Sequence, residues 1–287
     1  MATANPTTNA EYITVITPHR GWFQIPWREI WQYRELVWVL IHRDYVATYK
    51  QTIFGIAWHI VQPIVQTIVF VVIFTYVAKV PTDGIPPFLF YFSGLMFWRY
   101  FQDCVTRTSN TFTSNGALFN KVYFPRLIVP ISQMFSNLFG FGLNLIFFIV
   151  AYLIYEFQGT HVALSWKIIV LPLLIFQTAA LSLGLGCLIS ALTIRWRDLA
   201  MVTPLLLQLW MYASCVVFPF SAIPEDKRWM FIWNPLIPII EGFRFAALGR
   251  GTVEVWQILL GAVASVVVLV VGLAVFHRVE KDCLDSV

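Results

Sequence analysis

The chain has 287 residues, of which 59% are hydrophobic and only 12% charged, where a soluble domain carries roughly 25% charged residues. A soluble fold cannot hide that much apolar surface, so the sequence belongs to the polytopic membrane class. Its formal net charge of +4 is accounted for by the placement of basic residues around membrane spans, described below, and carries no indication of nucleic acid.

The arm that precedes the first apolar run, residues 1–50, has no short apolar core followed by a small-residue cleavage site, which predicts a retained, cytoplasmic N-terminus. Within it Trp27, Ile30, Trp31, Val37, Trp38, Ile41, Tyr45 and Tyr49 recur at three- and four-residue spacing. Arg28, Gln32, Glu35, His42 and Arg43 take the other face. This pattern predicts an amphipathic helix lying on the membrane, begun at Pro26, with its aromatic rings in the headgroup layer.

Five uncharged runs are each long enough to cross a hydrocarbon core of about 30 Å: Gln51–Ala78, Leu127–Tyr155, Ile168–Ile194, Leu199–Pro224 and Val255–His277. A sixth span, Phe88 to about Phe112, is apolar except for Arg99, Asp103 and Arg107, and is needed to keep the basic ends of its neighbours on one side. Six spans put Arg20, Arg28, Arg34, Arg43, Lys50, Arg107, Lys121, Arg126, Arg195, Arg197, Arg278 and Lys281 inside. Lys79, Lys167, Lys227, Arg228, Arg244 and Arg250 fall outside, a bias that follows the positive-inside rule. Between the fifth and sixth spans, Trp229–Gly249 is broken by Pro235 and Pro238 and carries Glu241 and Arg244. As a seventh span it would place both charges at depth, at roughly 2.5–3.5 kcal/mol each. A re-entrant pair of short helices on the outer face is expected instead. The organisation expected is therefore all-α: the arm 1–50, a six-span domain 51–278 and a tail 279–287.

Chemistry-bearing motifs are scarce. No G-x-x-x-x-G-K-[ST] loop, H-E-x-x-H pair or nucleophile elbow occurs, and the scattered Cys104, Cys187, Cys215 and Cys283 form neither a disulfide framework nor a metal site. No catalytic, cofactor-binding or metal-binding residue is therefore assigned. Gly140/Gly142 and Gly184/Gly186 sit in apolar helices and suit close helix packing. Arg99 and Asp103, one turn apart in the second span, are the ionisable pair at depth. They either neutralise each other and seal one helix to its neighbours, or line a pore and contact sugar or phosphate. Tyr91, Phe97, Trp98 and Phe101 in the same span offer ring faces that stack on sugars, although core packing uses the same residues.

Several segments together carry a family resemblance. Leu40-Ile41-His42-Arg43-Asp44, Tyr49-Lys50-Gln51-Thr52, Gly55, Trp58 and Pro63 lead from the interface helix into the first span. Asn120-Lys121-Val122-Tyr123-Phe124-Pro125-Arg126 with Pro130 follows the second span, and Arg195-Trp196-Arg197-Asp198-Leu199 the fourth. Asn234-Pro235-Leu236 through Glu241, Phe243, Arg244 and Leu248-Gly249 precedes the last span, and Val279-Glu280-Lys281-Asp282 closes it. From about Trp27 onward the chain resembles the type-2 ABC exporter permeases, within them the O-antigen and capsule polysaccharide branch. It departs at Ser214-Cys215, where the family often has Ser-Pro.

The resemblance implies a homodimer joined to two copies of a separate ATPase that binds ATP and Mg, with no cofactor on this chain. The cargo implied is a polyprenyl-diphosphate-linked polysaccharide, moved outward across the bacterial inner membrane with both termini cytoplasmic. It further implies that a loop at about 113–126 and the turn at Arg195, Arg197 and Asp198 couple to the ATPase. Trp38, Arg43, Asp44, Tyr49 and Lys50 would belong to the interface helix, and Asn234, Pro235, Glu241 and Arg244 to an outer gate at about 223–250. Alternatives are a permease of the same class for capsule, teichoic acid, small lipids or drugs; a membrane-embedded glycosyl- or phosphosugar transferase; and a passive scaffold. The transferase would need clustered carboxylates at a membrane face for metal-bound diphosphate, and only Asp44, Asp198 and Glu280 lie near inner span ends.

Overall fold

A computed structural model describes residues 27–49, 55–119, 124–159 and 166–284. All regular structure among them is helical: α1 (Trp27–Gln32), α2 (Arg34–Tyr49), α3 (Trp58–Phe70), α4 (Pro87–Ser109), α5 (Thr111–Phe119), α6 (Ile128–Phe157), α7 (Leu171–Arg195), α8 (Leu199–Tyr212), α9 (Arg228–Ile232), α10 (Leu236–Leu248) and α11 (Val255–Leu284). The last turns of the first long helix, Val71–Val77, widen into a π-helix.

Among the described residues four helices are long and apolar enough to cross a membrane by themselves: Trp58–Val77, Ile128–Phe157, Lys167–Arg195 and Val255–Glu280. The six expected spans are thus not all matched. At 23 residues and a rise of 1.5 Å each, α4 is about 35 Å long, but Arg99, Asp103 and Arg107 lower its apolarity. The run beginning at Leu199 is helical for only 14 residues, about 21 Å, and does not continue to Pro224. Cys215 takes a left-handed φ of 55°, so the chain leaves the helix here without the proline that usually ends one.

Side-chain contacts fix the helix directions. Arg99 meets Gln62 and Tyr91 meets Phe70, so α3 runs antiparallel to α4. Phe97 packs on Phe141 and Phe92 on Phe148, so α6 is antiparallel to α4 as well. Phe101 packs on Trp210 while Gly94 faces Val216, which orients α8 the same way. By contrast α7 and α11 run parallel: a Cβ on Gly184 would sit 2.5 Å from Leu269 Cα, and one on Gly261 would meet Gln177. Gly184 and Gly272 let two backbones touch, as the small-residue pattern led one to expect. Thr108 occupies the space beside Gly186, which brings the last turn of α4 onto the same seam. Helix direction therefore alternates from α3 to α4, α6, α7 and α8, and α11 returns.

The bundle has two distinct ends. The proximal end carries α1, α2, α5 and the start of α6, where Leu127, Cys187, Leu273 and Phe276 pack with Ile30 and Phe112. The distal end carries α10, whose Gly242 faces Leu174 of α7 and Ile258 of α11. At the centre is α4, every residue of which from Leu89 to Trp98 is buried. A Gly184→Val substitution, which forces a branched side chain into a backbone contact, is expected to cost about 3 kcal/mol and lower the thermal unfolding midpoint in detergent. Gly142→Ala, with nothing within 4 Å of the added carbon, is expected to change stability by less than about 0.5 kcal/mol.

Candidate functional site

Helix α10 is built around a buried ion pair. Arg244 and Glu241 lie one turn apart on it, Arg244 Nη1 and Glu241 Oε1 being 2.9 Å apart with both side chains almost fully buried. The helix ends at Gly249 with φ 66°, the left-handed position that glycine occupies without a side-chain clash. A buried guanidinium must place its donors, and this one reaches three segments. Nη1 also donates to the Cys215 carbonyl at 2.8 Å, and Nη2 donates to Phe90 O at 3.1 Å and Val216 O at 3.2 Å. Nε reaches Ser93 Oγ at 3.4 Å, and the guanidinium carbon lies 3.6 Å from the centre of the Phe90 ring.

The carbonyls freed where α8 breaks are thus satisfied by a side chain from α10, and Glu241 Oε1 accepts from the Phe220 N–H at 3.3 Å. Asn234 ties the opposite edge: its amide nitrogen donates to Ala213 O (2.9 Å) and Ser214 Oγ (3.0 Å), and its oxygen accepts from Leu236 N–H. Pro235 precedes the first residue of α10, and Glu225–Ile232 meets α10 at 109°. The four expected gate residues, Asn234, Pro235, Glu241 and Arg244, therefore occupy one distal cap. That Glu241 and Arg244 pair with each other was legible in their i, i+3 spacing.

At mid-bundle the expected Arg99–Asp103 pair does not form. No ion pair joins them among the described residues; Arg99 Nη2 instead donates 2.7 Å to Gln62 Oε1 of α3. Nor is Arg99 buried: both residues line an open cleft of about 510 Å³ with Trp58, Val61, Gln62, Val65, Gln66 and Gln102. The amides at 62, 66 and 102 went unassigned at the sequence level. Their signal is the i, i+4 spacing of Gln62 and Gln66 on an otherwise apolar helix.

The four aromatics expected to face a channel do not. Tyr91, Phe97 and Phe101 are 0% exposed and Trp98 is 1%. Phe97 packs between Phe141 and Phe243, Trp98 against Phe101. They fill the core because their sides of α4 are packed by α3, α6, α8 and α10.

At the proximal end the segment expected to couple, 113–126, begins within α5 and its last described residues, Phe124–Arg126, precede α6. Asn120, Lys121, Val122 and Tyr123 fall outside the described residues, as does Lys50; the side chain of Tyr49 does too. Phe124 is buried with Leu40 of α2, Ile128 and Val129. The guanidinium of Arg126 lies 5.8 Å from the Phe112 ring and 5.5 Å from that of Phe119, and its backbone N–H donates to Glu280 at 2.9 Å. Arg126 is engaged within its own chain; Arg195, Arg197 and Asp198 are exposed.

The apolar stripe of α2 divides in two. Tyr33, Leu36, Val37 and Leu40 pack with Phe124, Ile128 and Val129 and Tyr45 meets Phe139. Trp31 and Trp38, 72% and 73% exposed, point away from the protein. Arg43 chelates its neighbour Asp44 at 2.8 Å.

Comparison with known proteins places this geometry. Residues 35–248 match the family model described as ABC-2 type transporter. The O-antigen export system permease protein RfbA of Myxococcus xanthus is 27% identical over 91% of this chain and 98% of its own length. A Klebsiella pneumoniae protein of the same name is 26% identical over 86% and 92% respectively. The polysialic acid transport protein KpsM of Escherichia coli is 24% identical over 81% and 88%.

Replacing Arg244 with Met leaves the buried Glu241 carboxylate without its counter-ion and takes the guanidinium's donors from the Cys215 and Val216 carbonyls, while Phe90 O keeps its bond from Ser93 Oγ. The expected cost is about 3–5 kcal/mol, read as a lower unfolding midpoint in detergent and increased protease cleavage between Ala213 and Pro224.

Proposed function

Because the chain belongs to the ABC-2 type transporter family, we propose that it is the membrane-spanning subunit of an ATP-driven exporter that carries a polyprenyl-diphosphate-linked polysaccharide, O-antigen in particular, out across the bacterial inner membrane. The observation that carries the proposal is the match to an O-antigen export permease over 98% of that protein's length. The similarity to a polysialic acid transport protein favours capsule polysaccharide as the second reading.

The chain crosses six times, through α3, α4, α6, α7, α8 and α11, with α9 and α10 re-entering from the outer face. The alternating helix directions support this count. The proximal end, which carries Arg107, Arg126, Arg195, Arg197 and Arg278, is cytoplasmic by the positive-inside rule. Trp31 and Trp38 then sit in the inner headgroup layer and make α2 the interface helix. The apolar faces of α3 and α8, exposed at Val65, Ile68, Met201, Leu205 and Leu209, are available to lipid and to a second copy. Two copies enclose the pore that six helices are too few to form, and two ATPase subunits dock on the proximal ends.

ATP and Mg are held by the ATPase. Closure of its dimer pushes on α5, the segment 120–126 and the turn at 195–198. Phe112 stacks on Phe276 at 4.8 Å, so a push on α5 is passed directly to α11 and, through the glycine seam, to α7. The distal cap, joined to the α4 N-terminus through Arg244, then shifts with the helices that bear it and opens the outer exit.

Purification of the tagged chain from native membranes in mild detergent, followed by mass spectrometry, should recover an equimolar P-loop ATPase and a polyprenyl-diphosphate glycan. Recovery with glycan-synthesis enzymes and no ATPase would overturn the proposal. In the intact complex, Arg195→Ala with Arg197→Ala should leave the fold unchanged, both side chains being exposed, and lower export by about tenfold while ATP hydrolysis persists, the signature of lost coupling free energy.

A further inference from the structure

The cleft between α3 and α4 is polar at a depth where hydrocarbon surrounds the protein. On α4, Arg99, Asp103 and Arg107 stand at i, i+4 and i+8 and so share one face. On α3, Trp58, Gln62 and Gln66 repeat the same spacing toward it, with Val61 and Val65 beside them. Arg107 and Arg99 both lie in electrostatic range of His59 on α3 and of Asp103.

Arg99 and Asp103 line the cleft, Arg107 stands one turn beyond Asp103 toward the proximal end, and no ion pair joins the three among the described residues. Arg99 gives one hydrogen bond, to Gln62, of the five donors a guanidinium carries. Counted with Arg107, the proximal side of the cleft carries one more cation than anion, which favours a counter-anion there. A neutral sugar offers none, whereas a phosphate matches the Arg fork with two oxygens at once. The opening of the cleft lets such an anion arrive from the side, and Val61 and Val65 provide an apolar wall for the chain attached to it. Its volume of about 510 Å³ is within the range of small-ligand sites.

We propose that the α3–α4 cleft is a binding site for a lipid-borne phosphate, gripped by Arg99 and Arg107, oriented by Gln62 and Gln66, with its hydrocarbon tail along Val61 and Val65. The site rests on the reading that the chain spans the membrane with its proximal end cytoplasmic. It then opens to the inner leaflet, where a diphosphate-linked cargo and ordinary anionic phospholipid both present this chemistry. Asp103 opposes the bound anion and limits how tightly it is held, as a site that must release its ligand requires.

The test uses the full-length chain in phosphatidylcholine nanodiscs, with radiolabelled geranylgeranyl diphosphate as probe. Arg99→Gln and Arg107→Gln should each weaken binding about tenfold, Arg99→Lys should weaken it less, and Asp103→Asn should tighten it about threefold. Lys79→Gln, on the exposed distal loop, should bind as the unaltered chain does. A gain of affinity in Asp103→Asn is an effect that mere unfolding cannot produce. Displacement of the probe by an equal amount of phosphatidylglycerol assigns the site to bulk phospholipid; resistance to displacement assigns it to the prenyl diphosphate carrier. Equal affinity for geranylgeraniol, which lacks phosphate, or unchanged affinity in both Arg→Gln variants would overturn the proposal. Recovery of the ATPase from native membranes is independent of these outcomes, so the site and the transport function fail separately.

Discussion

The distal half of the protein depends on how one guanidinium is satisfied. Arg244 is 1% exposed, and a charge so placed is tolerated only if its donors are taken and its counter-ion is near. Glu241 supplies the counter-ion, while Phe90, Cys215 and Val216 supply carbonyls. Those carbonyls belong to α4 and to the segment after α8, so a single residue of α10 holds three elements in register. Gly94 is part of the same device, since a Cβ there would meet Arg244 Nη2 at 2.8 Å. The break in α8 and the burial of Arg244 are consequently one feature: each would be costly without the other.

Around this cap the bundle divides into an interior and a shell. The interior is α4 with the aromatic faces of α6 and α10, and it accounts for much of the 17% aromatic content, including the Phe148–Phe243 and Phe97–Phe243 contacts. The shell is α3, α8, α11 and the outer face of α6, whose exposed residues are mostly aliphatic. Aromatic residues therefore concentrate on the helix at the centre of the bundle, and branched aliphatic residues on the helices with exposed outer faces.

Much of this was legible in sequence. The four long apolar helices, the close approach at Gly184, the basic proximal end and the broken segment at Pro235 all follow from local pattern. The partner of Arg99 was not legible. Spacing shows that Asp103 is within reach, but Gln62, 37 residues away, wins through the tertiary approach of α3 and α4. Helix α8 ends early for a similar reason: residues 213–218 contain neither proline nor glycine, and it is Arg244, far along the chain, that stabilises the alternative backbone path. Composition marked the α4 aromatics as interesting but could not tell that the open side of α4 is the one bearing Arg99, Gln102 and Asp103, while the aromatics face its packed sides.

The seam between α7 and α11 has a mechanical consequence. Where side chains separate two helices, a push on one is partly absorbed as rotamers shift; where backbones touch, as at Gly184 and Gly272, there is nothing compliant to absorb it. With Thr108 seated against Gly186, three parallel helices behave as a single stiff plate running the length of the molecule. Such a plate can tilt or slide as a unit but cannot shear internally, so slack in the molecule is left to its borders with α3, α6 and α8.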